Sequence, residues 1–389
     1  MIPRIIQKQV VDNLLFRHKI VLIFGARQVG KTTLLRIVQE QLEKSGRRVR
    51  YINCDVQEER QAINTTARAL LDRLVQDRDV LLIDEAQNLD NPGLILKILH
   101  DLYPDVHIAA TGSSSFDLRN RVSDPLTGRF IDFALYPLSL GEILAAAPVA
   151  ADPPLRKSYA DNLLENILLY GLYPEIYTEG DSTFRKEQLT RLVDSYLFRD
   201  IIAFDRIRRP QIVVDLTRAL AYQIGNLVSE SELASRLKMD RKTVMNYMEI
   251  LEKSFVIVRL TPFSNNPRQE IGKQMKVYFT DLGIRNALIG DFNPLMVRSD
   301  VGALWENFVI LERLKVLAYQ KQAAQPHFWR SYQGAEVDYL EIEGKTINPF
   351  EIKIGISKSL SRGAKNFQDS YSVPVKLVNR ENYLDFLEL

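Results

Sequence analysis

The sequence predicts an α/β chain of several domains, and three observations predict it. Short apolar runs alternate with helical segments through residues 1–145, the pattern of a mostly parallel sheet with helices on both faces. From residue 293 the order reads α-β-β-β-α-β, a second α/β block. The chain has 389 residues, too many for one core of usual size, so two to four domains are expected.

Composition narrows the class. Hydrophobic content of 46% and charged content of 26% fit a soluble globular protein. The balance of 51 basic against 49 acidic residues excludes a polycation, so nucleic-acid affinity would need a local patch. A single cysteine, Cys54, excludes an intramolecular disulfide, and the four histidines show no zinc-ligand spacing. The start, MIPRIIQKQVVDNLL, lacks a positive-then-apolar signal, and no apolar run reaches the ~18 residues of a membrane helix. A cytoplasmic bacterial or archaeal protein without a membrane partner is the expectation.

The first element that carries chemistry is KIVLIFG, Lys19 to Gly25, an apolar run that reads as a buried strand. It leads into GARQVGKT and then the helical TLLRIVQEQLEKSG. Gly25, Gly30, Lys31 and Thr32 fit the phosphate loop G-x-x-x-x-G-K-[ST] in its required strand–loop–helix setting. Backbone N–H groups of the loop, through Gln28, Val29, Gly30 and Thr33, would face phosphates at the helix N-terminus. Lys31 would reach the β- and γ-phosphates of ATP, and Thr32 would ligate Mg²⁺.

DVLLIDEAQ, from Asp79, is an apolar strand ending in two acids. Asp84 would hold the Mg²⁺ through water and Glu85 would polarise the attacking water. VHIAATGSSS places Thr111 and Ser113 at the end of another strand, where polar groups can sense a γ-phosphate. RRVRYINCD and RFIDFALYPL supply further strands. Adjacent Asp84 and Glu85, with a strand between the two motifs, point to the ATPase branch that inserts a strand. Its members are usually oligomers and need an arginine at the γ-phosphate. RNRVSDPLTGR offers Arg119, Arg121 and Arg129, of which Arg129 opens a strand and is the choice.

AAAPVAADPP, Ala145 to Pro154, reads as a linker. Residues 146–205 read as a helical lid, with Arg199 near its end. Residues 206–292 hold QIVVDLTRALAYQIG, then a helix begun by Ser229 and another begun by Asp240, then two strands. This is the order of a winged helix-turn-helix, whose second motif helix would present Arg241, Lys242, Thr243 and Asn246 to a DNA groove. Between Arg199 and Lys276 there are 14 Lys and Arg against 9 Asp and Glu, a modest patch for phosphates. Winged helices also serve as protein-interaction modules.

Residues 293–389 raise the second chemical question. Asp338 lies in EVDYLEIEG, and Glu351 and Lys353 in FEIKIG share one strand face because side chains alternate. With Glu306 from the preceding helix, Asp338 and Glu351 could bind Mg²⁺, and Lys353 could position a water or a phosphate. The same E-x-K spacing is also common on exposed strands.

Taken together, GARQVGKTT, LLIDEAQ, ATGSSS, LTGRF with YPLSLGE, GLYPE, SYLFRDI, VYFTDLGIRNAL, WENFVILE, EVDYLE and FEIKIG resemble one family over nearly the full length. It is the bacterial and archaeal family of AAA-type P-loop ATPases with a C-terminal domain of unknown function that looks like PD-(D/E)XK nucleases. The resemblance implies ATP binding and hydrolysis with Mg²⁺, and supports a nuclease-like reading of Asp338, Glu351 and Lys353. One departure is INPFEIK, where Pro349 removes a ladder donor and suggests an edge strand. The leading expectation is an oligomeric ATPase acting on DNA. An ATP-gated nuclease and a nucleotide-dependent switch for a protein partner are the alternatives.

Overall fold

Five apolar runs become five parallel strands in the first part of the chain: β1 (Ile20–Phe24), β2 (Val49–Asn53), β3 (Val80–Asp84), β4 (His107–Gly112) and β5 (Phe130–Ala134). The computed structural model describes residues 2–112, 126–148, 152–195, 209–264, 274–331, 333–356 and 359–389. Its packing divides the chain into two compact units, Met1–Leu138 with Lys253–Phe255, and Ser139–Glu252 with Val256–Leu389.

In the first unit the sheet order is β2-β3-β4-β1-β5, and every adjacent pair is parallel. Parallel neighbours need crossovers, here built from helices. The unit's helices are α1 (Gln7–Phe16), α2 (Lys31–Lys44), α3 (Gln57–Ile63), α4 (Arg68–Val75) and α5 (Pro92–Leu102). β1 and β3 are buried along their whole length, which is why both read as continuous apolar runs rather than alternating ones. Leu22, Leu81, Ile83, Ala110 and Leu96 meet in one core. Each fully buried leucine or isoleucine there contributes about 1.5–3 kcal/mol. β4 stands between β1 and β3, so three strand ends arrive side by side at one edge of the sheet.

The second unit starts at Ser139, whose hydroxyl accepts the Glu142 N–H while the Glu142 carboxylate accepts the Ser139 N–H. This capping box opens α6 (Leu140–Ala146). Then come α7 (Pro153–Tyr170), α8 (Pro174–Thr178), α9 (Ser182–Leu192), α10 (Pro210–Tyr222), α11 (Glu230–Arg236) and α12 (Arg241–Lys253). The remaining helices are α13 (Leu282–Ile289), α14 (Val301–Gln320), α15 (Arg362–Tyr371) and α16 (Tyr383–Phe386). Seven strands complete the unit: β6 (Leu227–Val228), β7 (Ile257–Pro262), β8 (Met275–Phe279), β9 (Gln325–Arg330), β10 (Glu336–Glu343), β11 (Thr346–Ile352) and β12 (Lys376–Val378). They form one sheet, β12-β11-β10-β9-β7-β8-β6.

Three sequence expectations change here. The division falls at Leu138, ahead of the expected boundary at 145, and α7 to α9 belong with the second unit. The reason is a set of buried polar side chains on α13, in the stretch TDLGIRNAL. Asp281 accepts the Leu172 N–H at 2.6 Å and the Ile284 N–H at 3.1 Å. Asn286 donates to the Leu168 and Leu169 carbonyls, both at 2.9 Å. Gly171 has φ +73, and a Cβ there would overlap the Asp281 carboxylate, so GLYPE and TDLGIRNAL are two halves of one joint.

The expected two-stranded wing is part of a larger sheet. β7 pairs antiparallel with β8 as expected, but it also pairs parallel with β9 through Thr261↔His327 and Pro262↔Phe328. Described residues of 206–292 and of 293–389 therefore share one sheet. Lastly, β11 is an interior strand, not an edge. Pro349 is tolerated because β12 pairs only with Phe350, Glu351 and Ile352, leaving position 349 flanked on one side alone.

Replacing Asp281 by Ala would leave two buried N–H groups without acceptors, at about 1–3 kcal/mol each. The urea midpoint of the second unit should fall accordingly, read by far-UV circular dichroism. An unchanged midpoint would show that the joint contributes nothing.

Candidate nucleotide site and C-terminal acidic pocket

The phosphate loop follows β1 and turns into α2 at Lys31. Gly25 must be glycine because a Cβ would overlap the Leu135 carbonyl, which itself accepts no slack: the Leu135 N–H is bonded to Phe24 O at 2.6 Å. Gln28 (φ 60) and Gly30 (φ 98) take left-handed backbone conformations that turn the loop back on itself. The Arg4 guanidinium, buried beneath, donates to Val29 O and Tyr136 O, both at 2.6 Å, and so ties the loop to the chain after β5. Thr33 and Thr32 stand exposed in the first turn of α2.

Lys31 is buried, and its Nζ donates to Gly25 O at 3.0 Å and Ala26 O at 2.8 Å. Burial pushes its pKa down to about 8, against the pull of Glu85 and Asp84. Asp84 ends β3 and receives three hydroxyls. Thr32 and Tyr51 each donate to Oδ2 at 2.7 Å, and Thr111 donates to Oδ1. Thr111 Oγ1 in turn accepts the Glu85 N–H at 3.1 Å. Glu85 sits at φ 52, ψ 45, and the Gln87 amide donates to its carboxylate.

Sequence reasoning found Lys31, Thr32, Asp84, Glu85 and Thr111, and the fold brings these five together. It missed Arg4, Tyr51 and Gln87. Tyr51 lies one strand away on β2, in register with Leu82 of β3. Its alternation with the buried Ile52 in RYIN was the available signal. Ser113, Arg119, Arg121 and Arg199 lie outside the described residues.

Arg129 is a correction. Its carbonyl accepts the Ile20 N–H, so it sits at the amino end of the sheet. The loop leaves from the carboxyl end of β1, four residues beyond Ile20 and roughly 13 Å away at strand rise. The guanidinium is instead engaged with Asp101 through two bonds, at 2.8 and 3.1 Å. Parallel strands put their starts and ends at opposite edges, and a residue that opens β5 cannot meet the γ-phosphate bound by its own loop.

In the second unit, two of the four candidate DNA-facing residues are engaged within the chain. Arg241 is ion-paired with Glu230 at 2.7 Å, and Thr243 donates its N–H and hydroxyl to the Asp240 carboxylate that caps α12. Lys242 and Asn246 are exposed.

The C-terminal candidates do converge. The register of β10 and β11 pairs Tyr339 with Phe350, and one further step places Asp338 opposite Glu351. Asp338 accepts the Ile352 N–H at 2.8 Å. Glu351 is buried, takes the Ser361 N–H at 2.9 Å, and pairs with Lys353 at 3.0 Å. Gly363 lets α15 press against β10, since a Cβ there would overlap the Glu336 backbone. A cavity of about 580 Å³ opens here, lined by Glu336, Asp338, Glu351, Lys353, Arg362 and Asn366 among others.

As Mg²⁺ ligands, however, Glu306, Asp338 and Glu351 do not fit. Among the described residues no group of three or more His, Cys, Asp or Glu side chains could hold a metal ion. Glu306 Oε1 is taken by Lys276 at 3.0 Å and by the Tyr278 hydroxyl at 2.6 Å. Burial, then the Glu306 carboxylate, pushes Asp338 up to about 7. Lys276 lies in KQMKVYFTD, where the sequence alone predicts a wing strand. β8 is in fact buried throughout, and Lys276 shares a face with Tyr278.

Residues 17–144 match the family model of an AAA domain. Residues 161–295 match a domain of unknown function (DUF8612), and residues 301–385 a second one (DUF4143). An uncharacterized protein of Mycobacterium tuberculosis is 29% identical over 361 residues, 90% of this chain and 74% of that protein. One from Methanocaldococcus jannaschii is 27% identical over 316 residues, 78% of this chain and 68% of that protein. Among solved structures, AMPPCP-bound DnaA from Aquifex aeolicus is similar at 22% identity and a TM-score of 0.33, over 64% of this chain and 86% of that one. The AAA-domain match and the loop geometry define the first unit as a P-loop domain of the AAA type. Among the described residues no helix is long and apolar enough to cross a membrane.

Gly25→Ala would push the Leu135 carbonyl and the loop apart. ATP with Mg²⁺ should raise the melting temperature of the wild-type chain and leave that of a folded Gly25→Ala variant unmoved. Equal shifts in both would remove the close approach as a requirement.

Proposed function

We propose that this chain is a Mg²⁺-dependent ATPase that couples hydrolysis to DNA binding or remodelling and works as a homo-oligomer. The observation that carries the ATPase part is the 2.7 Å bond from the Thr32 hydroxyl to Asp84, beside a Glu85 held at its own angle by Thr111 and Gln87. A loop hydroxyl and an acidic strand end, touching, fit the group that would bridge the phosphates. Thr32 and Asp84 would hold Mg²⁺, which when bound would offset phosphate charge. Lys31 would exchange its bonds to Gly25 O and Ala26 O for the β- and γ-phosphates, whose charge would favour the ammonium form that burial disfavours. Glu85 would orient and polarise the attacking water.

The DNA part rests on the second unit. The order α10-β6-α11-α12-β7-β8 supports a winged helix-turn-helix over residues 206–292, following a helical segment at 146–205. On α12, Lys242 and Asn246 would meet the duplex, while Arg241 and Thr243 hold the helix in place. Residues 293–389, with their nuclease-like element order, would bind DNA without cutting it.

ATP hydrolysis measured with no DNA and with single-stranded, duplex and four-way-junction DNA tests both parts, with the DNA run on a gel afterwards. Lys31→Ala should lower the rate by about 100-fold, the scale of losing one phosphate-stabilising donor. Undiminished hydrolysis in that variant would sink the assignment of this loop. One DNA form should raise the wild-type rate several-fold and emerge uncut. No DNA response would favour a switch for a protein partner, and cutting that Lys353→Ala stops would favour a nuclease. Lys242→Glu should weaken DNA binding and reduce the salt slope, log Kd against log salt, by about 1.

A further inference from the structure

Among Glu306, Glu336 and Asp338, the position a divalent ion would need is filled by an ammonium group. The Nζ of Lys276 lies 3.0 Å from Glu306 Oε1, 2.6 Å from Glu336 Oε1 and 3.8 Å from Asp338 Oδ1. The lysine is buried and reaches this point from β8, while the acids come from α14 and β10, so three separate elements bring their charges to one place. Burial works against the charged ammonium, but the acidic groups around it outweigh that and hold it charged.

Two further carboxylate oxygens are also engaged. Glu336 Oε2 accepts from Arg330 at 3.0 Å, and Asp338 Oδ2 accepts the Ile352 N–H. Both oxygens of Glu351 accept the Ser361 N–H, at 3.2 and 2.9 Å, and Oε1 also pairs with Lys353. A metal ion entering here would have to expel a buried ammonium and break several of these bonds. Hard cations such as Mg²⁺ need oxygen ligands that are free to turn toward them.

We propose that Lys276 is the resident cation of this pocket, so that the pocket holds no divalent metal and acts without one. Lys276 here takes the electrostatic part of an ion: it neutralises the acids, sets their rotamers and keeps the cavity wall in place. The proposal is independent of the ATPase reading, because it is tested on nucleotide-free protein and through the second unit alone.

Mn²⁺ is the probe, with binding to the full-length chain read by electron paramagnetic resonance and melting temperature read alongside. Wild-type protein and Asp338→Asn should show the same Mn²⁺ binding, with no stoichiometric site lost in the variant. Lys276→Met should melt several degrees lower, because it leaves buried acids unneutralised, and should recover on adding Mn²⁺. That gained site should disappear in Lys276→Met combined with Asp338→Asn. A wild-type Mn²⁺ site that Asp338→Asn abolishes would overturn the proposal. So would a folded Lys276→Met chain that gains no Mn²⁺ site. If Lys276→Met does not fold, the wild-type comparison with Asp338→Asn still decides.

Discussion

Three hydroxyls converge on the Asp84 carboxylate because β1, β3 and β4 run in the same direction and end at the same edge of one sheet. The loop after β1 delivers Thr32, β3 delivers Asp84 itself, β4 delivers Thr111, and β2 adds Tyr51 from the outer flank. Sequence separations of up to 52 positions collapse to hydrogen-bond distance through strand direction alone. Turn any one of these strands antiparallel and its polar end would move to the opposite edge. The same constraint keeps Arg129 away from the loop of its own chain, since it sits where β5 begins.

The rigidity of that edge comes from contacts that leave no room. The Leu135 carbonyl lies where a Cβ on residue 25 would be, and Arg4 ties Val29 to Tyr136. The loop is thus gripped from below by a buried guanidinium and from the side by the chain leaving β5. A loop shaped before its ligand arrives loses less conformational freedom on binding.

How much of this was legible depended on whether the chemistry lay along the chain or across it. The phosphate loop and the acid pair are contiguous, so spacing alone identified Lys31, Thr32, Asp84 and Glu85. The order α-β-β-β-α-β and the convergence of Asp338, Glu351 and Lys353 were legible too, because strand alternation and one hairpin fix them. Tyr51 and Arg4 act on partners distant in the sequence, and the alternation in RYIN marks only which face Tyr51 takes, not its partner. Lys276 was hidden for a further reason: a lysine in a short strand ordinarily signals exposure, and only the seven-stranded sheet with α14 against β8 buries it. The expected edge at Pro349 failed likewise, because the cover comes from β12, a strand of three residues whose reach is not written in the hairpin.

The two acidic centres of the chain solve one electrostatic problem in opposite ways. At Asp84 the donors are neutral hydroxyls, and the buried cations Lys31 and Arg4 donate to backbone carbonyls. Hydroxyls orient a carboxylate without discharging it, so the negative charge there remains available to an incoming cation. Around Asp338, the buried Lys276 ammonium and the Arg330 guanidinium already meet the carboxylates, and backbone N–H groups take further oxygens. An ion pair inside a protein is strongly disfavoured to break, because each half left behind is a buried charge. A site proposed to exchange a metal has to avoid that trap, and the hydroxyls around Asp84 would let the first centre do so. The carboxylates around Asp338 are instead held in such pairs, which favour a pocket of fixed shape.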